Sequence, residues 1–234
     1  MFNMSNIKNL GIWGDSILKG IVLDEQKGRY KTLKEASVSI FNKFFPINIK
    51  NNSRFGCTAP KAMANMENSL SKGYAPDAVL LEFGGNDCDF NWREISKNPD
   101  IEHTPHTPIE SFCKTMEEMV NILLDKSIKP ILMNLPPIDS ERYFNWISNM
   151  DGVDGSRVLK WLTGTSVIYR QQERYSLEIE RLALKRSLPL IDVRSCFLEI
   201  RDYKSCLCMD GIHLNKKGQQ IMGNIFSDFA KAAV

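Results

Sequence analysis

Short apolar runs ending in turn residues alternate along this chain with stretches whose apolar positions recur every three or four residues. Five runs read as strands: residues 8–13, 47–52, 78–83, 130–134 and 188–192. Between the second and third, Ala59, Ala62, Met63, Met66 and Leu70 share one helical face; between the third and fourth, so do Ile109, Phe112, Cys113, Met116, Val120 and Leu123. That second helix carries a strong start signal. Thr107 is expected as its cap, Pro108 as its first residue, and Glu110 stands three places past the threonine. Residues 33–45 look helical, while Gly20 and Gly28 leave the stretch before them unassigned. A long charged helix is expected over 166–186, and a last amphipathic one carries Ile221, Met222, Ile225, Phe226 and Phe229.

Strands alternating with helices imply parallel pairing through right-handed crossovers, hence a doubly wound three-layer α/β/α sandwich. A chain of 234 residues holds such a fold as a single domain, 1–234, with room for insertions. Two segments read as insertions. Residues 88–108 hold Phe90, Trp92, His103 and His106; residues 139–164 hold Tyr143, Phe144, Trp146 and Trp161. Both are expected to overhang the carboxyl ends of the strands, where ligands bind in sheets of this kind. The bland alternative for the aromatic rings, Trp146 and Trp161 above all, is a small satellite core.

Three short motifs fall in loops at that edge: Gly14-Asp15-Ser16, Gly84-Gly85-Asn86-Asp87 and Asp210-Gly211-Ile212-His213. A serine hydroxyl needs a base within hydrogen-bond reach and a group that orients the base. Of three histidines only His213 follows an aspartate by three residues in a turn-like segment, so Asp210 could hold its imidazole toward Ser16. Each motif alone has a plainer reading: Asp15 or Ser16 as a helix cap, Asn86 as an Asx turn, Asp210 and Gly211 as turn formers. Taken together they supply a nucleophile, a base, an orienting carboxylate and an amide donor for a developing oxyanion. The G-x-S-x-G turn of the ordinary α/β-hydrolases is missing. Gly56, in a loop after the second strand, could lend a backbone amide to the same donors.

In these residues and in their order the chain resembles the SGNH hydrolases, also called the GDSL lipase/esterase family. The resemblance runs from Trp13 to Asn215. It implies a flavodoxin-like sandwich with a five-stranded parallel sheet, Ser16 as nucleophile, and Asp210 and His213 completing a triad. It also implies an oxyanion hole formed by the Ser16 and Gly56 amides and the Asn86 side chain. The expected reaction is hydrolysis of an O-acyl ester, with short acyl esters such as acetyl favoured and a carbohydrate as a candidate alcohol. The competing readings are a lysophospholipase or thioesterase acting on longer chains, an acyltransferase, and a non-catalytic flavodoxin-like binding module. Asp87 is expected to be structural.

Composition narrows the partners. Thirty basic against twenty-eight acidic residues give a formal charge of +2 without long runs of either sign, which offers no footprint for nucleic acid. No stretch has the apolar length to span a bilayer, and the first ten residues lack the apolar core of a signal peptide, so the expectation is a cytoplasmic protein without membrane insertion. Six cysteines without paired C-x-x-C spacing read as free thiols. Neither a cofactor nor a metal is expected. His103 and His106 are three apart, but Pro105 and Pro108 argue against a ligand-bearing helix there.

Overall fold

The computed structural model describes residues 3–233; Met1, Phe2 and Val234, the ends of the 1–234 reading, lie outside the described residues. Its central sheet consists of β1 (Asn9–Gly14), β4 (Asn48–Asn51), β5 (Ala78–Glu82), β6 (Lys129–Met133) and β7 (Leu190–Ile191). The spatial order is β4-β1-β5-β6-β7 and every pair is parallel. Counting only these strands, the order is 2-1-3-4-5, the flavodoxin-like doubly wound arrangement. All five lie within two residues of the expected runs.

The alternation along each strand explains why the sheet is covered on both faces. In β5, Val79 and Leu81 join one core cluster while Ala78 and Leu80 join the other; β6 sends Leu132 to the first and Ile131 and Met133 to the second. Helices α3 (Ala59–Ser71), α5 (Ile109–Asp125) and α8 (Ser166–Arg186) contribute to the first cluster through Met66, Met116, Tyr175 and their neighbours. Helices α2 (Ser37–Phe44), α9 (Val193–Leu198) and α10 (Lys216–Ala232) contribute to the second through Phe41, Phe197, Met222 and Phe226. At β1 the winding reverses: β4 lies to one side of it and β5 to the other. A crevice therefore opens between the carboxyl ends of β1 and β5, where the register aligns Gly14 with Glu82.

Two local expectations are corrected. Helix α5 starts at Ile109 with Pro108 as its cap residue, and Thr107 makes no side-chain cap. Thr107 is committed elsewhere: its side chain bonds the Asp87 carboxyl, its amide donates to the Asp87 carbonyl, and its own carbonyl accepts from the Tyr175 hydroxyl. The helix read over 33–45 begins only at Ser37, because Leu33 donates its amide to the Gly20 carbonyl and packs under a hairpin. That hairpin, β2 (Ile21–Asp24) antiparallel to β3 (Arg29–Thr32), fills the unassigned stretch after the single-turn helix α1 (Ser16–Lys19). Its Ile21-Val22-Leu23 is buried without alternation, which is why periodicity gave no strand signal.

The insertions form a wing beside the sheet. Helix α4 (Trp92–Lys97) belongs to the first; α6 (Ser140–Ser148) and α7 (Gly155–Leu162) belong to the second. Phe90, Trp92, Ile95, Tyr143, Ile147, Val158 and Leu162 make a third apolar cluster there, extended by Ile168 at the start of α8.

Candidate active site

β1 ends at Gly14, and the chain turns at once into α1. Asp15 is the cap: its Oδ1 accepts the Ile17 amide at 2.8 Å, which leaves Ser16 as the first helical residue. Ser16 Oγ lies 2.9 Å from His213 Nε2, and His213 donates Nδ1–H to Asp210 Oδ2 at 2.7 Å. All three residues are buried. The nucleophile-base and base-orienter geometry expected of a serine site is therefore present across 197 residues of sequence separation.

The Asp210–His213 segment is rigid for local reasons. Asp210 Oδ1 accepts the amides of Ile212 (3.1 Å) and His213 (3.0 Å), an Asx-type turn that fixes the carboxylate before it meets the ring. Gly211, at φ +75°, comes so close to α6 that an added Cβ would sit 2.5 Å from the Asp139 carbonyl oxygen. On Asp210 burial opposes the charge, but the bonds from the His213 ring and from the two amides outweigh it, and the carboxyl lies below its ordinary value.

The donor side is built on a buried carboxyl pair. Asn86 donates Nδ2–H to Asp15 Oδ2 at 2.9 Å; an amide nitrogen carries two hydrogens, so one remains for a substrate oxygen. Asp15 also hydrogen-bonds Glu82, the last residue of β5, whose Oε2 accepts the Asp15 amide at 3.2 Å. Burial raises both carboxyls, and Glu82, fully enclosed with Oε1 unpartnered, is raised well above the usual range. Ile17, Asn86 and Glu82 thus all converge on Asp15, and the two enclosed carboxyls belong to one hydrogen-bonded network. Gly56, in the loop after β4, lines the same cavity; its φ of +66° is the left-handed turn that a glycine tolerates. Asp87 is tied to structure as expected: it accepts the amides of Ala59 (3.0 Å) and Gly84 (3.1 Å), and burial pushes its carboxyl up to about 6.

Ser16, Gly56, Asn86 and His213 open into a cavity of about 480 Å³ that runs beneath the wing. All six rings pack in the satellite cluster; Phe90, Trp92, Tyr143 and Trp146 also line the cavity, whereas Phe144 and Trp161 do not, so both readings of the aromatic insertions hold for the first four and only the satellite core for the other two. Asp89 clamps the wall: its carboxylate accepts from Tyr143 Oη (2.7 Å) and Trp92 Nε1 (2.9 Å), one ring from each insertion. His103 and His106 do not act together. His103 Nε2 donates to the Asn98 carbonyl at 2.9 Å and His106 Nδ1 to the Asn86 carbonyl at 3.1 Å. Among the described residues no group of three or more His, Cys, Asp or Glu could hold a metal ion, and no helix is long and apolar enough to cross a membrane.

Four contributors were missed from sequence: Tyr30, Phe55, Glu82 and Asp89. Glu82 left a signal, an ionisable residue closing the apolar run that ends at the Gly84-Gly85-Asn86-Asp87 loop. Phe55 directly precedes Gly56. Tyr30, on the unassigned hairpin, left none.

Known proteins resemble this chain in sequence and in fold. A family model described as "GDSL-like Lipase/Acylhydrolase family" matches residues 12–221. The GDSL esterase/lipase CPRD49 of Arabidopsis thaliana is 24% identical over 173 residues, which cover 72% of this chain and 60% of that protein's length. The fold is similar to a lipase/acylhydrolase from Enterococcus faecalis (TM-score 0.63, 19% identity, 97% of this chain and 96% of the other). It is also similar to a catalytic mutant of an acetylxylan esterase from Geobacillus stearothermophilus (TM-score 0.65, 18% identity, 95% and 94%).

Proposed function

This chain belongs to the GDSL-like lipase/acylhydrolase family, and we propose that it is a serine esterase that cleaves short O-acyl esters through an acyl-enzyme on Ser16. The observation that carries the reading is the continuous line from Ser16 Oγ through the His213 ring to Asp210, opening into a cavity beside the Asn86 amide. In the proposed reaction Ser16 Oγ attacks the carbonyl carbon while His213 Nε2 takes its proton. The imidazolium is stabilised by Asp210. The negative charge that develops on the carbonyl oxygen is met by the free Asn86 N–H and by the Ser16 and Gly56 amides. His213 then gives the proton to the departing alkoxide, and a water molecule, deprotonated by the same ring, releases the acid and restores Ser16.

An acetyl group occupies a small part of a cavity of about 480 Å³, so the rest is available to the alcohol. Rings from Phe90, Trp92, Tyr143 and Trp146, with the polar side chains of Asn91 and Gln171 among them, suit a hydroxyl-rich ring such as a sugar. The acetylxylan esterase among the similar folds is compatible with that choice. A second reading has its own support: Leu135, Ile138, Ile147 and Ile168 also line the cavity and would accommodate a longer acyl chain, as in a lysophospholipase or thioesterase. The test is kcat/KM over acetyl, butyryl, octanoyl and palmitoyl esters, alongside labelling by a fluorophosphonate probe. Highest values for acetyl are expected; a rise toward octanoyl would transfer the proposal to the longer chains, and failure to label Ser16 would favour a non-catalytic binding module. Product analysis with a sugar acceptor present separates hydrolysis from acyl transfer.

A further inference from the structure

The hairpin β2–β3 lies outside the parallel sheet, yet it delivers one side chain to the centre of the site. Tyr30 Oη donates to Asp210 Oδ2 at 3.0 Å, the same oxygen that accepts His213 Nδ1–H. Its ring also lies 4.8 Å from the imidazole, and that of Phe55 is stacked on the imidazole at 5.9 Å with an interplanar angle of 4°. Tyr30 and Phe55 touch each other at 5.1 Å, so they form one aromatic bracket around His213. The bracket is held from below: Val22, Leu23 and Cys208 pack with Tyr30, and the Cys208 amide donates to the His213 carbonyl at 2.8 Å.

We infer that Tyr30 is a positioning residue for the Ser16 reaction, a fourth member of the hydrogen-bonded line, which moderates the basicity of Asp210 and fixes the plane of the His213 ring. This inference rests on the proposed roles of Ser16 and His213. Asp210 Oδ2 receives two donors at once, so part of its charge is engaged by the phenol and less is available to favour the imidazolium. Burial and the neighbouring Asp210 charge push the Tyr30 hydroxyl far up, so it remains a neutral donor while the imidazole titrates. The other ionisable groups near this line are Asp15 on the opposite side of the site, the Cys208 thiol against Tyr30, and Glu25, whose carboxylate accepts the Met209 amide.

The decisive variant is Tyr30→Phe, which keeps the ring and removes only the donor. Without the phenol's hold on Oδ2 the Asp210 carboxylate and the plane of the imidazole are less fixed, and that misplacement, outweighing the freed carboxylate charge, predicts a fall in kcat of roughly ten- to a hundredfold with KM little changed. The acidic limb of kcat/KM should also move to higher pH, because an Asp210 relieved of its second donor favours the protonated imidazole more strongly. Tyr30→Leu, which also opens the bracket, should lower kcat further. A folded Tyr30→Phe protein with unchanged kcat and an unchanged limb would overturn the inference. A uniform loss at every pH would also overturn it and leave Tyr30 a packing residue. The underlying reading fails separately, through retained turnover in Ser16→Ala or failure of the fluorophosphonate probe to label Ser16.

Discussion

The two walls of the cavity are held by different forces. The edge proposed for catalysis, from Glu82 through Asp15 and Asn86 on one side and from Tyr30 through Asp210 to His213 on the other, is fixed by hydrogen bonds among buried and half-buried polar groups. The wing wall is fixed chiefly by apolar contact among Trp92, Ile95, Tyr143, Ile147 and Val158, with a polar clamp at Asp89 on the cavity side and further bonds between the insertions such as Asp154 N–H to Ser96 Oγ at 2.7 Å. Directional bonds tolerate little displacement, whereas apolar packing fixes volume more than angle. Substitutions at the edge should therefore act on kcat, and substitutions in the wing should act on which ester is preferred.

The largest effect is expected from Ser16→Ala, which should lower turnover at least about a thousandfold and abolish probe labelling without loss of fold. Comparable activity in that variant would remove the distinction between the walls altogether. Next is Asn86→Ala. If its free N–H meets the developing oxyanion, kcat should fall roughly a hundred- to a thousandfold with a smaller change in KM; a change confined to KM would move Asn86 from the edge to the substrate wall. The smallest effect belongs to Tyr143→Phe. Removing the hydroxyl that donates to Asp89 should cost about 1–3 kcal/mol of stability, read from chemical denaturation, and shift relative kcat/KM along the acyl series while kcat on the best ester changes little. A loss of kcat as deep as that of Asn86→Ala would show that the wing is part of the catalytic edge.

These two walls were not equally legible. The strands at 8–13 and 78–83, the helix over 166–186 and the three loop motifs could be read directly, because apolar periodicity reflects burial on a sheet face and a turn motif is local in the chain. Thr107 misled because its hydroxyl had a competing partner, Asp87, twenty residues away in sequence. The fates of Trp146, which lines the cavity, and Trp161, which packs behind it on Phe90 and His103, could not be separated by composition, since both are aromatic residues in one insertion.

By itself the sequence determined the α/β alternation, the family and the chemical inventory of a serine, a histidine and their carboxylate partner, because each is written in residue type and short spacing. Only the tertiary structure decided that Tyr30 stands behind Asp210, 180 residues away, and that Glu82 lies beneath Asp15, 67 residues away. Hydrogen bonds act over about 3 Å of space and are blind to separation along the chain, so a hairpin with no periodic signal and a lone acid at the end of a strand acquire meaning only when the sheet brings their partners to the same edge.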